Sequence, residues 1–192
     1  DATPNGEKRK TSLEEIAKRF GVLNRPYALQ RQNHTTMFKV AMDQAIERAE
    51  SQGHKVRGNI VALFTGSTTP QNRIPTFLEN VCSYARLPPN QPREFIEHAC
   101  TTFGTGVNRI SQFAEENPGI EGYAIASASE IIKPLWKQDN FDLMMFGDMA
   151  GVGIFKITPE PELAVIQRGI IGNVYSHTPD TDGNIVWGPS SS

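Results

Sequence analysis

Val56-Arg57-Gly58-Asn59-Ile60-Val61-Ala62-Leu63-Phe64-Thr65-Gly66-Ser67-Thr68-Thr69-Pro70 decides how this chain is read. A short apolar run, Asn59–Phe64, lies between a Gly-Asn turn and a Gly-Ser-Thr-Thr-Pro loop. That length between turn residues predicts a buried strand. The pattern after it, Ile74–Leu87, predicts an amphipathic helix that stops at paired prolines. Amides and hydroxyls gathered between a strand and a helix start can seat an anion, and the same residues also make an ordinary strand-to-helix turn. For the anion seat the ligands would be Gly66, Ser67, Thr68 and Thr69, aided by Arg73. The loop lacks the Gly-Lys-Ser/Thr ending of a P-loop, and Pro70 and Pro75 remove two amide donors.

Upstream, Ser12 and Glu15 form a capping box for a helix striped by Leu13, Ile16, Ala17 and Phe20, with Gly21 as its stop. A longer helix is predicted over Thr36–Gln52, where Phe38, Met42, Ala45, Ile46 and Ala49 recur at helical spacing before Gly53. Downstream, helices are predicted over Arg93–Phe103 and Val107–Asn117. The link Pro88-Pro89-Asn90-Gln91-Pro92 would set the first of these antiparallel to Ile74–Leu87. Residues 120–136 read two ways: Gly122–Ala126 as a strand, Ser129–Trp136 as a helix interrupted by Pro134.

The last fifty residues change character. Phe141–Phe146, Val152–Ile157, Ala164–Arg168, Ile170–Tyr175 and Ile185–Trp187 read as strands between Gly- and Asp-rich turns. The expectation is therefore an α+β fold, a mostly helical body carrying a small antiparallel C-terminal sheet. Residues 1–12 would be a polar basic arm. Residues 13–192 would form one domain, helix-rich over 13–136 and strand-rich over 141–187.

Net charge is −2, but residues 1–60 hold 11 Lys/Arg against 7 Asp/Glu, leaving the remainder acidic. Such asymmetry favours self-association, or a polyanion on the basic third, with Arg9, Lys10, Lys18 and Arg19 as its contacts. No apolar run approaches a membrane span. Cys82 and Cys100 each sit on a predicted apolar helix stripe, which predicts buried, reduced side chains compatible with a cytoplasmic setting. His98 and Cys100, two apart on a predicted helix, would point about 200° apart and could not share a metal ion. His34, His54 and His177 read as surface residues, Glu94, Glu97, Glu115 and Glu116 as solvated helix faces, and Asp148 as a turn former. No metal, cofactor or catalytic residue is implied.

Ser67-Thr68-Thr69 with Glu160-Pro161-Glu162 resembles the Ser-Thr-Ser and Glu-x-Glu elements of ADP-ribosyltransferases, which flank an NAD site, but the third position is Thr and prolines flank the glutamates. Ser12–Gln30 resembles the front of a helix-turn-helix, with Arg25 and Arg31 placed for phosphates. Neither resemblance assigns a catalytic role. The functional reading is a non-enzymatic interaction or assembly subunit, a homo-oligomer or a partner of other protein subunits, with RNA or DNA on its basic third and no membrane. The alternative is an enzyme or binding domain that takes a phosphate-bearing small molecule at Gly66–Thr69.

Overall fold

The computed structural model describes residues 13–21, 26–69, 74–132, 146–159 and 170–176. Its centre is one five-stranded sheet made of β1 (Ile60–Gly66), β2 (Arg93–Ile96), β3 (Gly122–Glu130), β4 (Met149–Ile157) and β5 (Ile170–Ser176), in the order β2-β1-β3-β4-β5. β1 runs parallel to both β2 and β3, β4 is antiparallel to β3, and β5 is antiparallel to β4. Four strands therefore point one way and only β4 runs against them.

Helices cover both faces. α2 (His34–Ser51) and α3 (Phe77–Ala85) lie on one side, and α4 (Thr102–Glu116) lies on the other. A shorter helix, α1 (Leu13–Phe20), precedes them. Burial follows the strand period of two: Leu63, Ile125, Val152 and Ile154 face α2 and α3, while Ala62, Phe64, Ala124, Ala126 and Phe155 face α4 with Ile110 and Phe113. A strand buried on both faces has no polar alternation to show, which is why β1 reads as a continuous apolar run. The alanines on the α4 side bring that helix close. A Cβ added at Gly106 would sit 3.2 Å from the Ala126 Cβ.

These observations correct the expected fold class. A helical body with a small antiparallel C-terminal sheet is replaced by helices packed on both faces of a mostly parallel sheet. Arg93–Phe103 is not a helix: Arg93–Ile96 is the edge strand β2, and the chain turns before α4 begins at Thr102. Ser129 and Glu130 end β3 instead of starting a helix. The segment after the proline link thus continues a strand–helix–strand unit, β1-α3-β2, in which the second strand lies parallel to the first. Val152–Ile157 and Ile170–Tyr175 are strands as read, within β4 and β5. Residues 141–145, 164–168 and 185–187 lie outside the described residues, as do Ser12, Pro134 and the Glu160–Glu162 motif.

Local signals fix the helix starts. Asn33 caps α2: its Oδ1 accepts from Thr36 N at 2.9 Å, and Asn33 N donates to Thr36 Oγ1 at 2.8 Å. Thr76 and Glu79 make the same reciprocal pair at α3.

Candidate functional site

The parallel strands share one direction, so β1, β2 and β3 all end at the same rim, with Gly66 opposite both Ile96 and Ala128. β4 runs the other way and therefore starts there, Met149 opposite Glu130. Loops at the carboxyl ends of parallel strands are where open α/β sheets place their chemistry. Here that rim gathers Ser67–Thr69, Glu97–Thr101, Glu130–Ile132 and Asp148.

The loop after β1 is organised by one carboxylate. Glu130 Oε1 accepts from Thr68 N at 2.6 Å and from Thr68 Oγ1 at 2.8 Å. Glu130 Oε2 accepts from Thr69 Oγ1 at 3.1 Å and from Ser67 Oγ at 3.3 Å. Thr69 N donates back to Ser67 Oγ, and Ile131 N donates to Thr69 Oγ1. Behind the loop, His34 is buried on α2 with Nε2 3.2 Å from Thr69 Oγ1. Burial holds its pKa down to about 4, against the opposing pull of the Asp148 carboxylate. Asp148 is itself fully buried. Its carboxylate accepts from Ala28 N at 2.7 Å and Ile132 N at 2.6 Å, and its own N–H donates to Pro26 O. Two carboxylates thus satisfy rim amides from segments far apart in the chain.

The second feature is the turn after β2. Ile96 is the last buried residue of the strand, and one turn of 3-10 helix, Ala99–Thr101, leads into α4. Ala99 has φ 47°, a left-handed conformation that an L-residue with a Cβ adopts at a cost of about 1–2 kcal/mol. His98 anchors the turn at several points. Its N–H donates to Thr102 Oγ1 at 3.2 Å, its carbonyl accepts from Thr101 N and Thr101 Oγ1, and its Nδ1 lies 3.2 Å from Thr105 Oγ1.

Held on this elbow is Cys100, a free and exposed thiol one residue past the strained position and at the positive end of a fifteen-residue helix. The thiolate is the nucleophilic form of cysteine, and an exposed thiol is open to an incoming electrophile. Just beyond, in the first turn of α4, a Cβ added at Gly104 would meet nothing within 4 Å. Cys82 behaves oppositely: it is buried in the α3 core, and burial raises its thiol pKa. The expectation that both cysteines are buried on helix stripes holds for Cys82 and is corrected for Cys100.

The β1 loop and the elbow touch. A Cβ on Gly66 would fall onto the Ile96 carbonyl oxygen and within 2.5 Å of Thr102 Cγ2. Only glycine allows β1 to end that close to the backbone leading to the thiol.

Of the residues singled out in the sequence, Gly66, Ser67, Thr68 and Thr69 lie at this rim, with the Ser67, Thr68 and Thr69 hydroxyls directed to Glu130. Lys18 and Arg19 occupy the last turn of α1, both exposed, whereas Arg9, Lys10 and Arg73 lie outside the described residues. His54 stacks edge-on against Tyr123 at the opposite rim, and His177 is outside the described residues. His34 and Asp148 are buried polar residues, not a surface group and a simple turn former. Sequence reasoning missed Cys100 and Glu130. The available signal was the stretch Ala99-Cys100-Thr101-Thr102-Phe103-Gly104-Thr105-Gly106, whose three threonines and two glycines suit a turn and helix start better than a helix interior.

Among the described residues no helix is long and apolar enough to cross a membrane, and no cluster of three or more His, Cys, Asp or Glu could hold a metal. No protein-family model and no curated protein sequence matches the chain. Solved structures do. A 3-oxoacyl-[acyl-carrier-protein] synthase III from Aquifex aeolicus superposes with TM-score 0.62 at 19% identity, over 78% of this chain and 46% of that one. The synthase III of Pseudomonas aeruginosa gives 0.60 at 19% identity, over 77% and 44%. AbyA1, a tetronic acid condensing enzyme, gives 0.60 at 15% identity, over 77% and 47%. The fold is therefore thiolase-like, and the chain spans less than half the length of these neighbours. Their being condensing enzymes overturns the reading of a non-enzymatic structural or assembly subunit, and with it the nucleic-acid partner expected on the basic third.

Proposed function

We propose that this thiolase-like chain carries the covalent half of a condensing site, with Cys100 as the nucleophile that accepts an acyl group from a thioester. One observation carries the reading: an exposed thiol stands on a strained strand-to-helix elbow, at a helix start, on the rim where the parallel strands end. The names of the structural neighbours, acyl-carrier-protein synthases and a condensing enzyme, supply the substrate class. In the step proposed, the Cys100 thiolate attacks the thioester carbonyl, the new C–S bond forms, and the donor's C–S bond breaks. The donor leaves as a thiolate that takes a proton from solvent, and the acyl group stays on Cys100.

The test is intact-mass spectrometry after incubation with an acyl-coenzyme A. The expected result is one acyl adduct per chain, mapped to Cys100, absent from Cys100→Ala and retained by Cys82→Ala. An unmodified protein, or an adduct on another residue, would discard the reading.

Self-association accompanies this proposal. Among the described residues β2 is an outer strand of the sheet with no strand on the side away from β1, so its backbone groups there suit a strand from a second copy. Ile74, 93% exposed just before α3, is an apolar side chain suited to a contact between protomers. Light scattering that returns a monomer at all concentrations would remove this part.

A further inference from the structure

We propose that Glu130 is a positioning residue for Cys100, acting through the Ser67–Thr69 loop; this rests on the reading of Cys100 as the nucleophile.

The path is continuous and every link is a named contact. Glu130 accepts four hydrogen bonds from Ser67, Thr68 and Thr69, so both carboxylate oxygens fix the loop. That loop follows Gly66 directly. Gly66 is packed against the Ile96 carbonyl, where the elbow chain begins, and against the Thr102 methyl, where α4 begins. The Thr102 hydroxyl in turn takes the His98 amide, which closes the elbow around Ala99 and Cys100. One residue back, Ser127 Oγ donates to Thr65 Oγ1 at 2.6 Å, so β3 and β1 are also locked beside the clasp. On the far side, His34 and Ile131 N both reach Thr69 Oγ1, which keeps the loop from relaxing toward α2.

A left-handed Ala99 persists only where its surroundings over-determine it. The clasp is the part of those surroundings that nothing at the elbow itself supplies. Without it the β1 loop is free to shift, Gly66 no longer confines Thr102 and Ile96, and the elbow can relax toward ordinary geometry. The thiol then loses its fixed place on the elbow.

The sign of the effect separates this from simple electrostatics. If Glu130 acted only as a nearby negative charge, removing the charge would not slow the attack of Cys100 on an uncharged electrophile. Loss of positioning slows it, because the elbow no longer holds the thiol in its exposed place.

The experiment is the rate of Cys100 alkylation by iodoacetamide at one fixed pH, followed by peptide mass spectrometry, with buried Cys82 as internal control for folding. For Glu130→Gln the expected result is a rate lower by about tenfold, the scale of a misplaced nucleophile. Glu130→Asp, which retains the charge and both acceptors, should recover part of that loss. Thr68→Ala removes one exposed hydroxyl from the clasp without opening the core, and should lower the rate by a smaller amount.

Rates for Glu130→Gln and Thr68→Ala that equal or exceed the parent's would overturn the inference. If Glu130→Gln exposes Cys82 to reagent, the Thr68→Ala rate decides the question by itself. A parent Cys100 no more reactive than a free thiol, with no acyl adduct, would instead defeat the reading of the nucleophile. The two failures are therefore distinguishable.

Discussion

Single residues at the rim are held by short-range geometry, and small changes there should have large effects. Gly66 is the clearest case. Gly66→Ala forces a methyl into the Ile96 backbone, which cannot yield without moving β2, so the variant should lose about 3 kcal/mol or more. Urea denaturation would show it as a lower midpoint with an unchanged slope. Gly104 makes the opposite case, because its helix face is bare. Gly104→Ala should fold normally, with stability raised by up to about 1 kcal/mol from helix propensity. If the acyl group passes over this turn, Gly104→Leu should cut acylation by long-chain thioesters more than by acetyl. Adduct yields across a series of chain lengths would show this.

At the scale of elements, α2, α3 and β1 were legible because their signals are local. The α2 stripe from Phe38 to Ala49 and the apolar run of β1 declare themselves within a dozen residues. β2 did not. Only four residues long and partly exposed, it was absorbed into an apparent stripe, Ile96-Cys100-Phe103, that matches helical spacing while spanning a strand end, a turn and a helix start. The elbow was hidden for the same reason, and Glu130 because its partners lie about sixty residues away. Parallel pairing leaves no hairpin turn to read, so the sheet itself was beyond a local reading. Local capping can still be tested locally. Thr76→Ala removes the acceptor for the Glu79 amide and should cost about 1 kcal/mol, seen as a lowered thermal midpoint. Thr76→Ser, which keeps the oxygen, should restore most of it.

Across the whole molecule, stability is coupled to pH through His34. Its folded pKa, about 4, lies below its ordinary value of 6.5. Between those values the unfolded chain binds a proton that the folded chain refuses. The associated stability is therefore complete above pH 6.5 and is lost as pH falls toward 4. Going from pH 7 to pH 5 should lower the unfolding free energy by about 2 kcal/mol from this group alone. Urea midpoints at the two pH values would measure it, and His34→Gln should shrink the difference between them.

The order of the sheet has one more effect. The strand at its outer border, β2, is also the strand that delivers Cys100. Any polypeptide that zips onto that border would brace the scaffold beneath the thiol. If Cys100 takes an acyl group as proposed, quaternary structure and that step would rise and fall together, so that thinning a solution should drain adduct per protomer as well as mass.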